Sequence, residues 1–295
     1  MKIIRTKAEL RNLTDSWRRA GESIGVVPTM GALHAGHLSL VERACADNDR
    51  VIVTLFVNPK QFNNPEDLAK YPRTEHSDAE KLTPYGVDVL YVPDGSQMYP
   101  EGFATTISVT GVSEGLCGGA RPGHFDGVAT VVTKLFLQCD ADRAYFGEKD
   151  YQQLQVVIRL AKDLDLKTQI VGCPTIREED GLAMSSRNLR LTAGPRETAP
   201  VIAQVLEDAA RAIARGGHVT QILYEAREAL LSAGFDTVDY LELRSDPDLQ
   251  LMTRADRASR LFLAAWIDGV RLIDNVSVAG LTDVGISENQ TLAPA

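Results

Sequence analysis

The 295-residue chain carries only four cysteines, Cys45, Cys117, Cys139 and Cys173, and no two of them form a Cys-x-x-Cys pair. Scattered in this way they imply no disulfide framework and read as reduced thiols, the expectation for a cytoplasmic protein. No run of about 18 apolar residues occurs, and Met1 to Lys7 lack the apolar core of a signal peptide, so neither a membrane span nor export is expected. Positive charge is in deficit: 31 Lys and Arg against 40 Asp and Glu leave a formal charge of −9. That balance disfavours nucleic acid and anionic membrane as main partners, and any anionic small molecule must be met by a locally basic pocket. No Gly-x-Gly-x-x-Gly follows the first apolar strand, which argues against a nicotinamide dehydrogenase. Internal repeats are missing as well. What remains, 44% hydrophobic and 24% charged residues, is a globular chain long enough for one large domain or two ordinary ones.

The most informative stretch is Val26-Val27-Pro28-Thr29-Met30-Gly31-Ala32-Leu33-His34-Ala35-Gly36-His37. An apolar strand there enters a turn of small residues, and a helix follows. Such a turn lets backbone approach a ligand closely, and the helix start offers unpaired N–H groups and partial positive charge, as a phosphate requires. His34 and His37 aim at the same place. His-x-x-His also suits zinc, since residues three apart share a helical face, but no cysteine or carboxylate stands close by to complete a ligand set.

Apolar periodicity orders the rest of the chain. It predicts a helix over 8–20, a strand from Ile24 to Val27, a helix packing Leu38, Val41 and Cys45 inward, and a strand from Val51 to Val57. A helix over 75–85 with Asp78 near its start, a strand from Asp88 to Val92 and a short strand at Thr106–Val109 come next. Val128, Val131, Val132, Leu135 and Phe136 mark another helix, followed by a strand at Arg143–Phe146. A helix with Leu154, Val157, Ile158 and Ala161 on its core side then leads to a strand from Gln169 to Val171. Beyond Thr192, helices over 196–215 and 219–233 precede strands at Val238–Leu243, Arg260–Trp266 and Arg271–Ile273. The expected fold is α/β: a Rossmann-like parallel sheet over 1–176, a smaller α+β domain over 177–280, and a disordered tail over 281–295.

Several side chains along this path bear chemistry. Gln61, just past the second strand, can orient a hydroxyl or carboxylate, or simply meet solvent. Asp78 is either a magnesium contact or a helix-start acid favouring the dipole. Arg121 and His124 bring positive charge to the site, with capping a competing role for His124. Lys149 opposes the dipole of the helix it precedes unless an anion lies between them, and Gln153 follows one helical turn later. Ser185, Ser186 and Arg187 place two hydroxyls and a guanidinium in one turn, a set that holds a triphosphate.

The histidine turn resembles the His-x-Gly-His signature of the nucleotidylyltransferase and class I aminoacyl-tRNA synthetase superfamily. Within it, Pro-Thr-Met-Gly-Ala-Leu-His-x-Gly-His, Phe-Val-Asn-Pro-x-Gln-Phe, Arg-Pro-Gly-His-Phe, Phe-Gly-Glu-Lys-Asp-x-Gln-Gln and Met-Ser-Ser-Arg-Asn, in that order over about residues 1–280, resemble the pantoate–β-alanine ligase family. The resemblance implies condensation of pantoate with β-alanine at the expense of ATP, through a pantoyl adenylate, with release of AMP and pyrophosphate. It implies catalytic roles for His34, His37, Lys149 and Arg187, together neutralising phosphate charge. ATP is then expected against Met30, Gly31, Ala32, Leu33, His34, Ala35, Gly36, His37, Gly147, Glu148, Lys149, Asp150, Ile176, Met184, Ser185, Ser186 and Arg187. Substrate is expected against Gln61, Gln153, Met30, Arg121 and His124, and Mg²⁺ at Asp78. A homodimer follows from the resemblance alone. Ser77 stands where relatives commonly carry a second acid. A nucleotidylyltransferase acting on a phosphate-bearing substrate and a non-catalytic nucleotide sensor are the competing readings. Gln61 and Gln153, which suit a small hydroxy acid, speak against the first; retention of Lys149 and both histidines speaks against the second.

Overall fold

A computed structural model describes residues 1–278; the tail expected over 281–295 lies outside them. Two compact units emerge, Met1–Arg190 and the chain from Leu191 onward. The Met184–Asn188 loop therefore belongs to the first unit, although the sequence pattern put the boundary at 176.

The first unit runs β1 (Lys2–Ile4), α1 (Lys7–Arg19), β2 (Ile24–Thr29), α2 (Ala35–Asp47), β3 (Arg50–Leu55), α3 (Pro65–Ala69), α4 (Glu75–Leu82), β4 (Val89–Tyr91), α5 (Gly95–Met98), α6 (Leu116–Ala120), α7 (His124–Cys139), β5 (Arg143–Gly147), α8 (Tyr151–Asp163) and β6 (Gln169–Cys173). Its strands form one parallel sheet in the order β1-β4-β3-β2-β5-β6. Val27, Val51, Val53 and Leu55 pack with Leu40, Val41 and Ala44 of α2 on one face. Side chains alternate along a strand, so Val26 and Ile52, equally buried, serve the other face, which explains the unbroken apolar runs. From β2 the chain winds outward through β3 and β4, then returns to place β5 on the other side. Ligands of such sheets bind at this reversal, outside the carboxyl ends of the strands.

The sheet is parted there. β2 pairs with β3 along its whole length but with β5 only at Gly25↔Arg143 and Val26↔Ala144. Thr29 turns its backbone toward β3, where its carbonyl accepts from Phe56 N–H at 3.1 Å. Pro28, one residue earlier, therefore faces β5, and having no N–H it loses nothing where β5 diverges.

The second unit holds α9 (Ala193–Thr198), α10 (Val201–Ala214), α11 (Val219–Ala233) and an antiparallel sheet of β7 (Thr237–Ser245), β8 (Ser259–Ile267) and β9 (Val270–Val278). α10 packs on β9 and α11 on β7. Among the described residues no helix is long and apolar enough to cross a membrane.

Three local expectations are corrected. No strand forms at Thr106–Val109; Ile107 N–H donates to Thr130 Oγ1 at 3.0 Å and Ser108 to Asp126, so side chains of α7 replace a strand partner. The helix expected over 196–215 breaks into α9 and α10 at Pro200, which has no N–H to continue the ladder. Ile158 is exposed, and Leu160 takes the core position on α8.

Candidate active site

The histidine turn begins with two residues in the left-handed region, Gly31 at φ 87° and Ala32 at φ 51°. Helix α2 then starts at Ala35 with His34 as its N-cap residue. Gly36 has a steric role: a Cβ there would stand 3.0 Å from Cε1 and Nδ1 of the His34 ring, so glycine makes room for the imidazole. The His34 and His37 rings lie 4.0 Å apart between centroids. His34 N–H points to His37 Nδ1 at 3.4 Å, and His34 Nδ1, buried, has no partner among the described residues. An unpaired lone pair is tolerated better in such a place than an unpaired N–H, so both rings carry their proton on Nε2.

Burial, reinforced by the charge of Lys149, lowers the His34 pKa to about 4; burial, reinforced by His34, lowers that of His37 to about 3. Burial and Arg121 lower His124 to about 4. All three are neutral donors at pH 7. This corrects the expectation that histidines supply positive charge; Lys149, Arg187 and Arg121 supply it.

The pocket at the sheet reversal is lined by Met30, His34, Gly36, His37, Gln61, Arg121, His124, Gly147, Lys149, Asp150, Gln153, Ile176, Met184, Ser185, Ser186 and Arg187, all predicted from sequence. Of the others, Gly31, Ala32 and Leu33 are buried behind the turn, Ala35 is exposed, and Glu148 does not line the cavity. The turn's N–H groups are also not free for phosphate as expected. Gly31 donates to Thr29 Oγ1 at 3.2 Å, and Ala32 and Leu33 donate to the Asp78 carboxylate at 2.9 and 2.8 Å. The N–H groups of Ala35 and Gly36 find no acceptor among the described residues.

Asp78 is therefore corrected too. It is fully buried, with both oxygens accepting protein donors and neither reaching the pocket. Among the described residues no three His, Cys, Asp or Glu side chains gather as a metal set. The donor set does not fit a protein-held Mg²⁺.

Gln61 ends a short 3₁₀ turn, Pro59–Gln61, directly after β3. Asn58 Nδ2 donates to Gln61 Oε1 at 3.0 Å, which orients the amide so that its NH₂ is the group left for a ligand oxygen. The Gln61 carbonyl accepts from His124 Nδ1 at 2.8 Å and Arg121 Nη2 at 3.1 Å, so these two residues brace Gln61. Lys149 stands 3.6 Å from Asp150 with its side chain mostly shielded. Burial pushes the Asp150 carboxyl up, but Lys149 and Arg187 more than offset this and hold it below its ordinary value. Arg187 reaches Asp67 at 3.5 Å, and its N–H donates to Ser185 Oγ at 3.2 Å. The loop is tied to its own base: Met184 N–H donates to the Ile176 carbonyl and Asn188 Nδ2 to Glu178 at 2.6 Å.

Sequence reasoning missed Tyr71, Asn58 and Phe62 in the lining. Burial pushes the Tyr71 hydroxyl up, and Ser186, also in the lining, partly offsets this. The signal for Tyr71 was the Tyr-Pro-Arg-Thr run, which reads as a turn.

The pantoate-β-alanine ligase family model matches residues 2–277. A pantothenate synthetase of Chelativorans sp. is 64% identical over 277 residues, covering 94% of this chain and 98% of its own. That of Ruegeria pomeroyi is 60% identical, covering 95% and 99%. The crystal structure of pantothenate synthetase from Thermus thermophilus superposes with a TM-score of 0.87 at 45% identity, covering 94% and 99%. A Francisella tularensis pantoate-β-alanine ligase, described as complexed with β-γ ATP and β-alanine, superposes at 0.80 with 38% identity, covering 94% and 97%.

Proposed function

The chain belongs to the pantoate–β-alanine ligase family and is an enzyme that joins pantoate to β-alanine, and on that premise we propose how its pocket carries out the reaction. Pantoate's carboxylate attacks the α-phosphorus of ATP, the bond to the β-phosphate oxygen breaks, and pyrophosphate leaves. The neutral amine of β-alanine then attacks the acyl carbon of the adenylate, and AMP leaves with the C–O bond electrons. A carboxylate is a poor acyl donor, and the mixed anhydride overcomes this.

The observation that carries the reading is one pocket lined by two kinds of side chain. Lys149, Arg187, Ser185, Ser186 and two Nε2–H imidazoles are suited to bring a carboxylate up to a triphosphate and to stabilise charge on the departing oxygen. Gln61 and Gln153 offer amides for pantoate's hydroxyls and carboxylate, with Met30 in the same lining. Gly147 and Ile176 flank the space assigned to adenosine. Magnesium would come with the triphosphate rather than on Asp78, both of whose oxygens are engaged by the histidine turn. A homodimer in the cytoplasm completes the reading, supported by the family resemblance. The β-alanine named with the Francisella relative supports the second substrate.

Exchange of labelled pyrophosphate into ATP, with pantoate present and β-alanine absent, tests the two-step course. Pantoate-dependent exchange is expected. Folded, ATP-binding protein that exchanges nothing would refute the adenylate.

A further inference from the structure

We propose that Asp78 is a positioning residue for adenylation, a buried carboxylate that fixes the backbone from which His34 and His37 reach the phosphates. The proposal rests on the roles given above to those histidines.

Asp78 Oδ1 accepts from Leu33 N–H at 2.8 Å and Oδ2 from Ala32 N–H at 2.9 Å, so one carboxylate holds two successive amides of the turn. Thr74 donates its hydroxyl to the same Oδ2 at 2.9 Å and accepts from Ala32 N–H at 3.0 Å. Lys81, three residues after Asp78, donates Nζ to the Leu33 carbonyl at 2.7 Å. Helix α4 and its entry thus hold the turn at both amides and the carbonyl immediately before His34. The held segment is one the chain would not choose unaided. Ala32 sits at φ 51°, a conformation costing a non-glycine residue about 1 kcal/mol or more, and a Cβ on Gly31 would stand 3.1 Å from Asp78 Oδ2. Charge-assisted bonds to a carboxylate are about twice as strong as neutral ones, enough to impose that course. His34 N–H is then turned toward His37 Nδ1, and both rings line the same pocket. A carboxylate is needed because two amides must be accepted at once. Asparagine offers one carbonyl oxygen and turns an NH₂ against the second N–H.

The test compares Asp78→Asn, Thr74→Val and Lys81→Met in pantoate-dependent pyrophosphate exchange, with melting temperature and ATP affinity measured on the same proteins. Asp78→Asn is expected to lose about tenfold to a hundredfold in the exchange kcat, as a misplacement of about 1 Å does, while the KM for pantoate stays within about threefold. Lys81→Met, the milder change, is expected to lose about threefold to tenfold and keeps the proposal testable if Asp78→Asn does not fold. In Asp78→Asn/His37→Ala the combined loss should fall short of the product of the two, because part of the effect of Asp78 runs through the His37 ring. Multiplying losses, a loss confined to KM, or unchanged kcat in both Asp78→Asn and Lys81→Met would overturn the proposal. Wild-type exchange in His37→Ala would instead retire the histidine's role, and the proposal with it.

Discussion

Two neutral imidazoles stand beside three cationic side chains at the residue scale, and the proposed mechanism divides the work between them: the cations to attract the triphosphate, the histidines to donate hydrogen bonds to it. Imidazole NMR should find His34 and His37 neutral down to pH 5, where ordinary histidines are charged; a midpoint near 6.5 for either would contradict their burial. His37→Ala should lose about 2–4 kcal/mol of transition-state stabilisation in pyrophosphate exchange while ATP affinity, read by calorimetry, changes little. Gln61→Ala should cost about 1.5–3 kcal/mol in pantoate binding, the range for a hydrogen bond to a charged group, and steady-state KM reports it. Asn58 decides that outcome as much as Gln61 does, because its bond to Oε1 fixes which end of the amide is offered.

At the scale of elements, the approach of α7 to the Pro59–Gln61 turn places Gln61. A Cβ on Gly127 would stand 2.4 Å from the Lys60 carbonyl oxygen and 2.7 Å from Gln61 N. Gly127→Ala should therefore cost about 1–3 kcal/mol of stability by denaturant unfolding and raise the pantoate KM, as the turn is pushed from its place. Much at this scale was legible in the sequence. The β2–turn–α2 unit, Lys149 before α8 and the hydroxyls of the Met184–Asn188 loop are local patterns, and local spacing dictates which way such side chains face. What was hidden depends on distant partners. Asp78 meets Leu33 from 45 residues away, so nothing around it distinguishes a metal ligand from a brace. Ile107 and Val109 alternate like a strand, but only the position of α7 decides that a threonine hydroxyl satisfies the Ile107 amide. The neutrality of the histidines follows from burial, which residue type does not reveal.

Over the whole molecule, the same burial ties stability to pH. His34, His37 and His124 bind protons more weakly folded than unfolded, so acid favours the unfolded chain. Their contribution is complete above about pH 6.5 and is lost as pH falls toward about 4 and 3. Urea midpoints should drop between pH 7.5 and pH 5, and the drop should shrink in His124→Gln. Elsewhere, Arg18 joins α1 to the start of β5 through Asp140 at 2.8 Å and Asp142 at 2.6 Å, while Lys167 also binds Asp140. Arg18→Ala should cost about 1–2 kcal/mol by urea unfolding, more than a lone surface pair, with exchange kinetics unchanged.

The parting of the sheet between β2 and β5 has a further consequence. Two strands that diverge in mid-sheet present half-paired edges to each other, the kind of opening into which a stray extended segment can add itself and begin aggregation. Pro28 stands on that edge without a donor. The residue that allows the crevice to open for a ligand thus also withholds it from a strand.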